Sequence, residues 1–280
     1  MENLVPHKTN IFDVANNLIN KLSAGVGWIF SRNTPEKKAL ETYINDIENS
    51  NFDPLTKAAL ITNAKKTIKE YCNQHDIVKY ASEFISPSAR VENVDNDWLN
   101  LFMDKARLVS DSEFQIIWGK ILAGECDNPG STPKILLNTL ALMDKETAKK
   151  FMAIASVSVC IVEESQSYWH PIILKEEFGF FEKHGIKHDI LWEIESLGLI
   201  KNNFNFGIEI ELEIDGKGEI IYHDKKHTLP KNAQFDVGCI TFTDAGSALC
   251  AAIQTNKIDG FFENICVPHI EKNIKSKAAQ

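Results

Sequence analysis

The stretch Ser110-Asp-Ser-Glu-Phe-Gln-Ile-Ile-Trp-Gly-Lys-Ile-Leu-Ala-Gly-Glu125 decides the fold class of this chain. Its first four residues match a capping box, in which the serine oxygen accepts an early helix amide and Glu113 reaches back. The apolar residues that follow recur at helical spacing: Phe114, Ile117, Trp118, Ile121 and Leu122. The stretch therefore predicts an amphipathic helix that packs within a helical domain.

Helical patterns continue on both sides of this stretch. Apolar stripes and start signals predict further helices over 11–22, 35–48, 54–73, 76–85, 97–109, 133–140 and 144–157. Asp127-Asn-Pro-Gly130 predicts the turn after the quoted helix, and Ser86-Pro87-Ser88 predicts a break with the character of a linker. Short connections between helices are typical of a compact helical array.

The pattern changes from about residue 168. A short helix over 188–197 ends at Gly198, and residues 208–214 alternate strictly between isoleucine or leucine and acidic residues, as a half-buried strand does. A turn then leads into a second strand at 219–223, and residues 237–242 predict a third. These elements predict a winged-helix-like module with a small antiparallel sheet.

The fold class expected is therefore mainly α with a smaller α+β part. We expect three regions: an N-terminal helical region over 1–90, a helical core over 91–165 and a winged-helix-like α+β domain over 166–280. The chain has 280 residues, of which 44% are hydrophobic, so it can bury a core without disulfide or metal support.

The charge balance argues against nucleic acid as a partner. The chain has 30 Lys and Arg against 39 Asp and Glu, and its only arginines are Arg32, Arg90 and Arg107. Contacts between basic side chains and phosphates supply most nonspecific affinity for DNA, and arginine is the commonest reader of guanine. We therefore expect no binding to nucleic acid.

Motifs for catalysis, cofactors and metals are missing from the sequence. It has no phosphate-binding glycine loop, no dinucleotide fingerprint and no nucleophile elbow. No two of the six cysteines lie within ten residues of each other, and the start lacks an export signal, which favours reduced thiols in the cytoplasm. The pairs His184/His188 and His223/His227 have i, i+4 spacing, but Gly185 and a turn interrupt them. We expect no catalytic set, no cofactor and no metal.

Residues 10–30 allow two interpretations. Their apolar stripe ends in Gly25, Gly27, Trp28 and Phe30, which could contact the inner membrane peripherally. The polar side carries asparagines with only Lys21 and Arg32 as cations, which favours packing against neighbouring helices or self-association. Packing is the favoured interpretation, and membrane contact is kept as the alternative.

Polar residues stand beside aromatic anchors in the middle of the chain. The segments Asp97-Trp98-Leu99, Lys105-Ala-Arg107, Gln115-x-x-Trp118-Gly-Lys-Ile-Leu-Ala-Gly-Glu125 and Asn128-Pro129-Gly130-Ser131 resemble the bacterial family catalogued as domain of unknown function 2806. The resemblance is strongest over 94–151. The block around Trp118 also resembles, more weakly, alpha-type abortive-infection proteins of phage defence. The candidate site residues are Asp97, Trp98, Arg107, Gln115, Trp118, Glu125, Pro129 and Gly130.

The resemblance implies a bacterial, prophage or phage source and supplies no activity. The leading hypothesis is a non-catalytic interaction or sensor protein, connected with phage defence through the weaker resemblance. Its partner would be an unknown protein or a second copy of the chain. The alternatives are a winged-helix DNA-binding regulator and an enzyme with an unrecognised site.

Overall fold

The computed structural model describes residues 11–28, 37–163, 166–203, 207–211 and 218–276. Four of its helices have an aspartate as the N-cap residue. The carboxylates of Asp53, Asp95, Asp111 and Asp144 accept hydrogen bonds from amides of the turns that follow them. The cap predicted at Ser110 is wrong by one residue. Asp111 takes this place because its carboxylate accepts the amides of both Glu113 and Phe114.

The chain divides into two compact units, residues 1–141 and 142–280. The first unit is helical in its described residues, apart from loops and one short 3₁₀ turn. Its helices are α1 (Ile11–Val26), α2 (Lys37–Glu48), α3 (Pro54–Phe84), α4 (Asn96–Ala106), α5 (Ser112–Asp127) and α6 (Lys134–Leu142), the last ending at the boundary. Pro35, the predicted start of the second helix, lies outside the described residues.

One long helix organises the first unit. The sequence predicts two helices, one ending near Asn73 and the next beginning at residue 76, whereas α3 runs without a break from Pro54 to Phe84. The polar residues Asn73 and Gln74, near the predicted helix end, form hydrogen bonds to α4. Asn73 Nδ2 donates to the carbonyl oxygen of Arg107 at 2.8 Å, and Gln74 Nε2 donates to that of Met103 at 2.9 Å. The middle of α3 thereby holds the end of α4.

Most of the apolar stripe of α1 is covered by protein, although Phe12 is 72% exposed. Val14, Leu18 and Leu22 are buried, and the indole of Trp28 stacks on Tyr71 with 5.9 Å between the ring centroids. Trp28 Nε1 also donates to Gln74 Oε1 at 3.1 Å. These contacts favour the packing interpretation, because they bury Trp28, one of the residues that membrane contact would use. Phe30 lies outside the described residues, and within them no helix has the length and apolar character to cross a membrane.

The second unit combines helices and strands. Its helices are α7 (Lys145–Ala155), α8 (Phe178–Lys183), α9 (His188–Ser196), α10 (Asp244–Ala252) and α11 (Val267–Asn273), the last preceded by a π-helical turn over Phe262–Cys266. Its strands are β1 (Ser158–Glu163), β2 (Gln166–Pro171), β3 (Ile200–Asn202), β4 (Glu209–Glu211), β5 (Gly218–Tyr222), β6 (Lys225–Leu229), β7 (Ala233–Asp236), β8 (Ile240–Phe242) and β9 (Lys275–Ser276).

The strands form antiparallel sheets whose pairing the sequence did not reveal. The largest sheet has the order β2-β1-β5-β6, and the others are β3-β8 and β4-β7-β9. The predicted hairpin between residues 208–214 and 219–223 is wrong, because β5 lies between β1 and β6 while β4 pairs with β7. Residues 212–217, which would have formed the turn, lie outside the described residues.

The elements α8, α9, β3 and β8 lie within the module that the sequence predicts to be winged-helix-like. Gly198 ends α9 with φ +71°, and the chain enters β3 two residues later, as the sequence predicts. β3 pairs with β8, and Ile173 forms a parallel bridge with Gly238. Gly238 has φ +98°, and a Cβ atom there would lie 2.2 Å from the carbonyl oxygen of Ile173, so this close approach requires glycine.

Tyr222 connects the sheet to the rest of the second unit. Its hydroxyl donates to the carbonyl oxygen of Ser156 at 2.9 Å and accepts the amide of Ile258 at 2.8 Å. The ring packs against Phe261 and Phe262, with centroid distances of 5.0 and 5.7 Å. One buried side chain thus holds the end of α7 and the segment before α11 against β5.

The predicted fold class is confirmed: the chain is mainly α, with a smaller α+β part and an antiparallel sheet after the helical part. The predicted division at residues 90 and 165 stays a prediction about folding domains. The chain forms two compact units that meet after residue 141 in the sequence. Within the first unit, α3 packs along α5.

Candidate functional site

The candidate residues from the sequence lie around one corner of the first unit, where the chain passes from α4 through α5 into α6. Asp97 and Trp98 belong to the first turn of α4, Arg107 follows its last turn, and Pro129 and Gly130 lie in the α5–α6 loop. The other candidates, Gln115, Trp118 and Glu125, lie on α5. We call the segment from Asp97 to Thr132 the motif corner.

A row of aromatic rings forms the interior of the motif corner. Trp98 stacks on Phe102 with 5.1 Å between centroids, and Phe102 meets Trp118 at 5.2 Å and an interplanar angle of 60°. All three side chains are buried. Trp98 Nε1 donates to the carbonyl oxygen of Thr132 at 2.9 Å, which connects the start of α4 to the loop before α6. The two tryptophans of the motif therefore build the core, as large aromatic side chains commonly do.

Glu125 closes the loop between α5 and α6. Its side chain is buried, and its two carboxylate oxygens accept the amides of Gly130 at 2.6 Å and Thr132 at 2.9 Å. A buried carboxylate needs such charge-assisted hydrogen bonds to offset the loss of its hydration. Gly130 adopts φ +88°, a conformation that favours glycine. The acid and the glycine of the motif thus act together in fixing one turn.

Gln115 and Arg107 connect helices to the segment between α4 and α5. The buried Gln115 donates from Nε2 to the carbonyl oxygen of Val109 at 2.9 Å. Arg107 donates from Nε to Asp104 Oδ1 at 3.0 Å and from an Nη atom to Glu70 Oε1 at 2.7 Å. The i, i+3 pair with Asp104 follows from the sequence spacing, whereas the contact with Glu70 on α3 could not be seen there.

Two of the candidates lie nearer the surface. Asp97 is exposed in the first turn of α4, where a negative charge interacts favourably with the helix dipole, and Pro129 is half-buried in the loop. The structure therefore gathers six of the eight candidates into contacts that hold the corner together. The carboxylate of Glu125 is directed at backbone amides, and the guanidinium of Arg107 at Asp104 and Glu70.

The close approach of α3 and α5 depends on a glycine of α5. That glycine is not Gly124, because a Cβ atom there would have no neighbour within 4 Å. The contact occurs at Gly119, where a Cβ atom would lie 2.6 Å from Tyr80 Cβ and 3.0 Å from the amide nitrogen of Ala81. Gly119 is five residues nearer the N-terminus of α5 than Gly124 and faces α3 directly.

The thiols are poor nucleophiles in this environment. Burial is the main cause that raises the pKa of every cysteine: Cys72, Cys126, Cys160, Cys239, Cys250 and Cys266. The pKa of Cys126 rises to about 12, so almost none of it is thiolate at neutral pH. All six are free cysteines.

The histidine pairs contact aromatic rings. His184 packs on Phe180 with 4.6 Å between centroids, and His188 stacks on Phe178 at 4.2 Å. His223 occupies the turn between β5 and β6 with φ +53°, as the strand pattern around it suggested. Within the described ranges, no three or more His, Cys, Asp or Glu side chains form a group that could hold a metal ion.

His170 is a buried titratable group that sequence reasoning missed. It lies on β2 and meets Tyr168 edge-on at 5.7 Å, and its Nδ1 atom is buried without a hydrogen-bond partner in the described part of the chain. Burial lowers its pKa to about 4. The alternation of β2 is too short to show which of its side chains point inward, so the sequence carried no signal for this residue.

Trp192 is the second residue that sequence reasoning missed. It lies on α9 with 63% of its side chain exposed, whereas Trp28, Trp98 and Trp118 are buried. Its ring lies 6.3 Å from that of His188, which in turn stacks on Phe178. We call Phe178, His188 and Trp192 the α9 aromatic surface. A tryptophan inside an apolar helix pattern is normally expected in the core, so the sequence pattern did not predict this exposed surface.

Replacing Glu125 with alanine is expected to destabilise the first unit by about 3–5 kcal/mol, because two amides lose hydrogen bonds to a charged acceptor. Glu125→Gln keeps one carbonyl oxygen and should lose roughly half as much. Urea unfolding followed by circular dichroism measures both changes. Glu83→Ala, an exposed change on α3, serves as the matched control. Equal stability of Glu125→Ala and the control would contradict the role given to Glu125.

His170 is expected to make stability depend on pH. Its folded-state pKa of about 4 lies below the ordinary value of 6.5, so its contribution is complete above pH 6.5 and is lost as the pH falls towards 4. Between pH 7.5 and pH 5 the loss should be about 2 kcal/mol. His170→Leu should remove this part of the difference, as measured by urea unfolding at both pH values. His184→Gln, which alters an exposed histidine, should leave it; an unchanged pH dependence in His170→Leu would refute the assignment.

Comparison with known proteins gives a family without an assigned activity. The family described as protein of unknown function (DUF2806) matches residues 62–266, which include the whole motif corner and both residues that sequence reasoning missed. The searches of curated proteins and of solved structures found no match. The match covers well over half of the chain and confirms the resemblance seen around Trp118. The chain therefore belongs to the family described as protein of unknown function (DUF2806).

Proposed function

We propose that this chain is a non-catalytic interaction or sensor protein and that a protein partner docks on the α9 aromatic surface. The observation that carries the proposal is the exposure of Trp192 on a helix that is otherwise well packed. Leu191 and Ile194 of the same helix are buried, so α9 is fixed in place and holds the indole outward. A rigidly held, exposed tryptophan is typical of the central residues of protein interfaces.

The surroundings of Trp192 suit a docking site. His188 and Phe178 extend the ring surface and are half-buried, so they add contact area that is already ordered. Preformed contact area lowers the entropy that association costs. Lys150 Nζ bonds to both carboxylate oxygens of Glu193 at 2.9 and 2.7 Å, and this pair fixes α9 against α7. Glu193, the residue next to Trp192, is thus paired within the unit, whereas the indole of Trp192 is exposed to solvent.

The motif corner supports a non-catalytic role. Glu125, Gln115 and Trp98 direct their polar atoms to backbone groups of the same corner, and the raised pKa values of the cysteines disfavour thiolate chemistry. The contacts of these motif residues therefore stabilise the fold. A connection with phage defence is the narrower form of this proposal, and its support is the resemblance of the block around Trp118 to abortive-infection proteins.

Changing Trp192 to alanine is expected to abolish partner binding without changing stability, because an exposed indole contributes little to the core. Affinity capture from host cells should retain at least one protein on the wild-type chain that Trp192→Ala loses. Lys226→Ala, an exposed change on β6, is the matched control and should retain the same protein. Thermal melting should be equal for all three chains. Identical captured sets, or a turnover that one side-chain change removes, would contradict the proposal and favour the alternative of an enzyme.

DNA binding is the alternative that the winged-helix-like order of elements suggests, and the residues of α9 argue against it. Its exposed residues Asp189, Trp192 and Ser196 include no cation, and its other ionisable residues near the surface are His188, Glu193 and Glu195. We expect no measurable binding to duplex DNA at physiological salt, because phosphate contacts need lysine or arginine. A fluorescence anisotropy titration tests this. Submicromolar affinity that falls steeply with salt would show that the chain is a DNA-binding regulator instead.

A further inference from the structure

The α9 aromatic surface has carboxylates beside its rings. Asp189 and Glu195 stand three residues before and three residues after Trp192, so both lie on the side of α9 that carries the indole. Glu182 stands four residues after Phe178 on α8, within about one helical turn of that ring. Asp189 and Glu182 are exposed, and neither forms an ion pair with the described part of the chain. Two negative charges at this surface are therefore left without a cation among the described residues.

The indole of Trp192 lies over the turn that contains Asp189. Side chains of an α-helix point back towards its N-terminus, so a residue covers the turn that precedes it. For Trp192 that turn contains His188 and Asp189, and the 6.3 Å between the ring centroids of Trp192 and His188 agrees with this direction. Consecutive residues are about 100° apart round a helix, so Asp189 flanks the indole on the side away from His188. An aromatic ring and a carboxylate are thus exposed next to each other.

The nearby lysines of α8 and of the start of α9 lie away from the two rings. Lys187 stands five residues before Trp192 and Lys183 stands five residues after Phe178, which places each lysine about 140° round its helix from the ring. Residues 175–196 contain six acidic residues against three lysines, and the whole chain has a formal net charge of −9. The surface therefore attracts cations both locally and at long range.

We infer, on the basis of the proposed function, that the partner docked on the α9 aromatic surface presents a basic side chain, an arginine or a lysine, to Trp192 and Asp189. A cation over the face of an aromatic ring is attracted by the electrons of the ring, and tryptophan attracts it most strongly. A guanidinium is flat, so it can stack on the indole while its N–H groups donate to the Asp189 carboxylate. One side chain thereby contacts both groups.

Partners of other chemistry fit this surface less well. An acidic segment would meet Asp189 and Glu182 with like charge, which disfavours its association. A wholly apolar segment would cover the Trp192 indole but remove the Asp189 carboxylate from water without supplying a donor, and burying an unpaired charge is costly. A segment with a basic side chain covers the ring and pairs the carboxylate at once. The charge of the surface and the chemistry of its ring therefore favour the same partner.

Binding of a short arginine peptide to the full chain tests this chemistry. The probe is a dye-labelled hexapeptide of alternating glycine and arginine, and the comparison is the same peptide with citrulline, which has the shape of arginine without its charge. The arginine peptide should bind at least about tenfold more tightly in a fluorescence anisotropy titration, because both contacts need the charge. Trp192→Leu, which keeps an apolar side chain, and Asp189→Asn should each weaken binding of the arginine peptide about fivefold.

Asp244→Asn is the matched control, because Asp244, like Asp189, is an exposed aspartate in the first turn of a helix. It changes the net charge of the chain as Asp189→Asn does, so a general attraction of the peptide to an acidic protein would weaken equally in both variants. Asp244→Asn should weaken binding less than about twofold, because it lies outside the α9 aromatic surface. Equal weakening in the two variants, or equal binding of the arginine and citrulline peptides, overturns the inference.

Affinity capture from host cells distinguishes failure of this inference from failure of the proposed function. Asp189→Lys reverses the charge beside the indole and should lose the protein that Trp192→Ala loses, whereas Asp244→Lys should retain it. A protein lost by Trp192→Ala and retained by Asp189→Lys would leave the docking surface in place and refute the basic partner. If Trp192→Ala loses no protein, the proposed function fails and the inference fails with it. Thermal melting of every variant checks that the chain is folded.

Discussion

The path of the chain through the motif corner depends on the carboxylate of Glu125. A negative charge in the interior of a helical unit is stabilised only if enough donors surround it, and here the amides of Gly130 and Thr132 provide two of them. The loop must fold back on the end of α5 to bring these amides to the carboxylate. The same turn places the carbonyl oxygen of Thr132 where the indole nitrogen of Trp98 donates to it. The hydrogen bonds of Glu125 and Trp98 together connect α4, α5 and the loop before α6.

This arrangement explains why residues that look like a binding motif in the sequence act within the fold. Tryptophan, glutamate, glutamine and arginine are also residue types that bind ligands, and the sequence analysis includes them among the candidate site residues. Their hydrogen bonds end on backbone carbonyls and amides of neighbouring helices, or on Glu70 and Asp104 in the case of Arg107. A polar side chain that satisfies the unpaired groups of a loop stabilises it as a cap does.

Exposed apolar side chains have the opposite character, because they face solvent. Trp192 and Leu55 belong to different units, and each lies on a helix whose other side is packed, so neither exposure results from a loose element. The two surfaces differ in chemistry. The α9 aromatic surface offers rings with acidic neighbours, whereas Leu55 lies beside exposed alanines in the first half of α3.

The sequence by itself determined the elements whose signals are local. Helix periods, the aspartate caps at Asp53 and Asp95, and the stop at Gly198 depend on residues within one or two turns, and they predicted the helical fold class and the family around Trp118. Strand pairing was decided by the tertiary structure, because β5 pairs with β1 nearly sixty residues away, a partner that no local pattern specifies. Contacts between distant segments also decided that Gly119 rather than Gly124 faces α3, and that Trp192 is exposed while Leu191 and Ile194 of the same helix are buried.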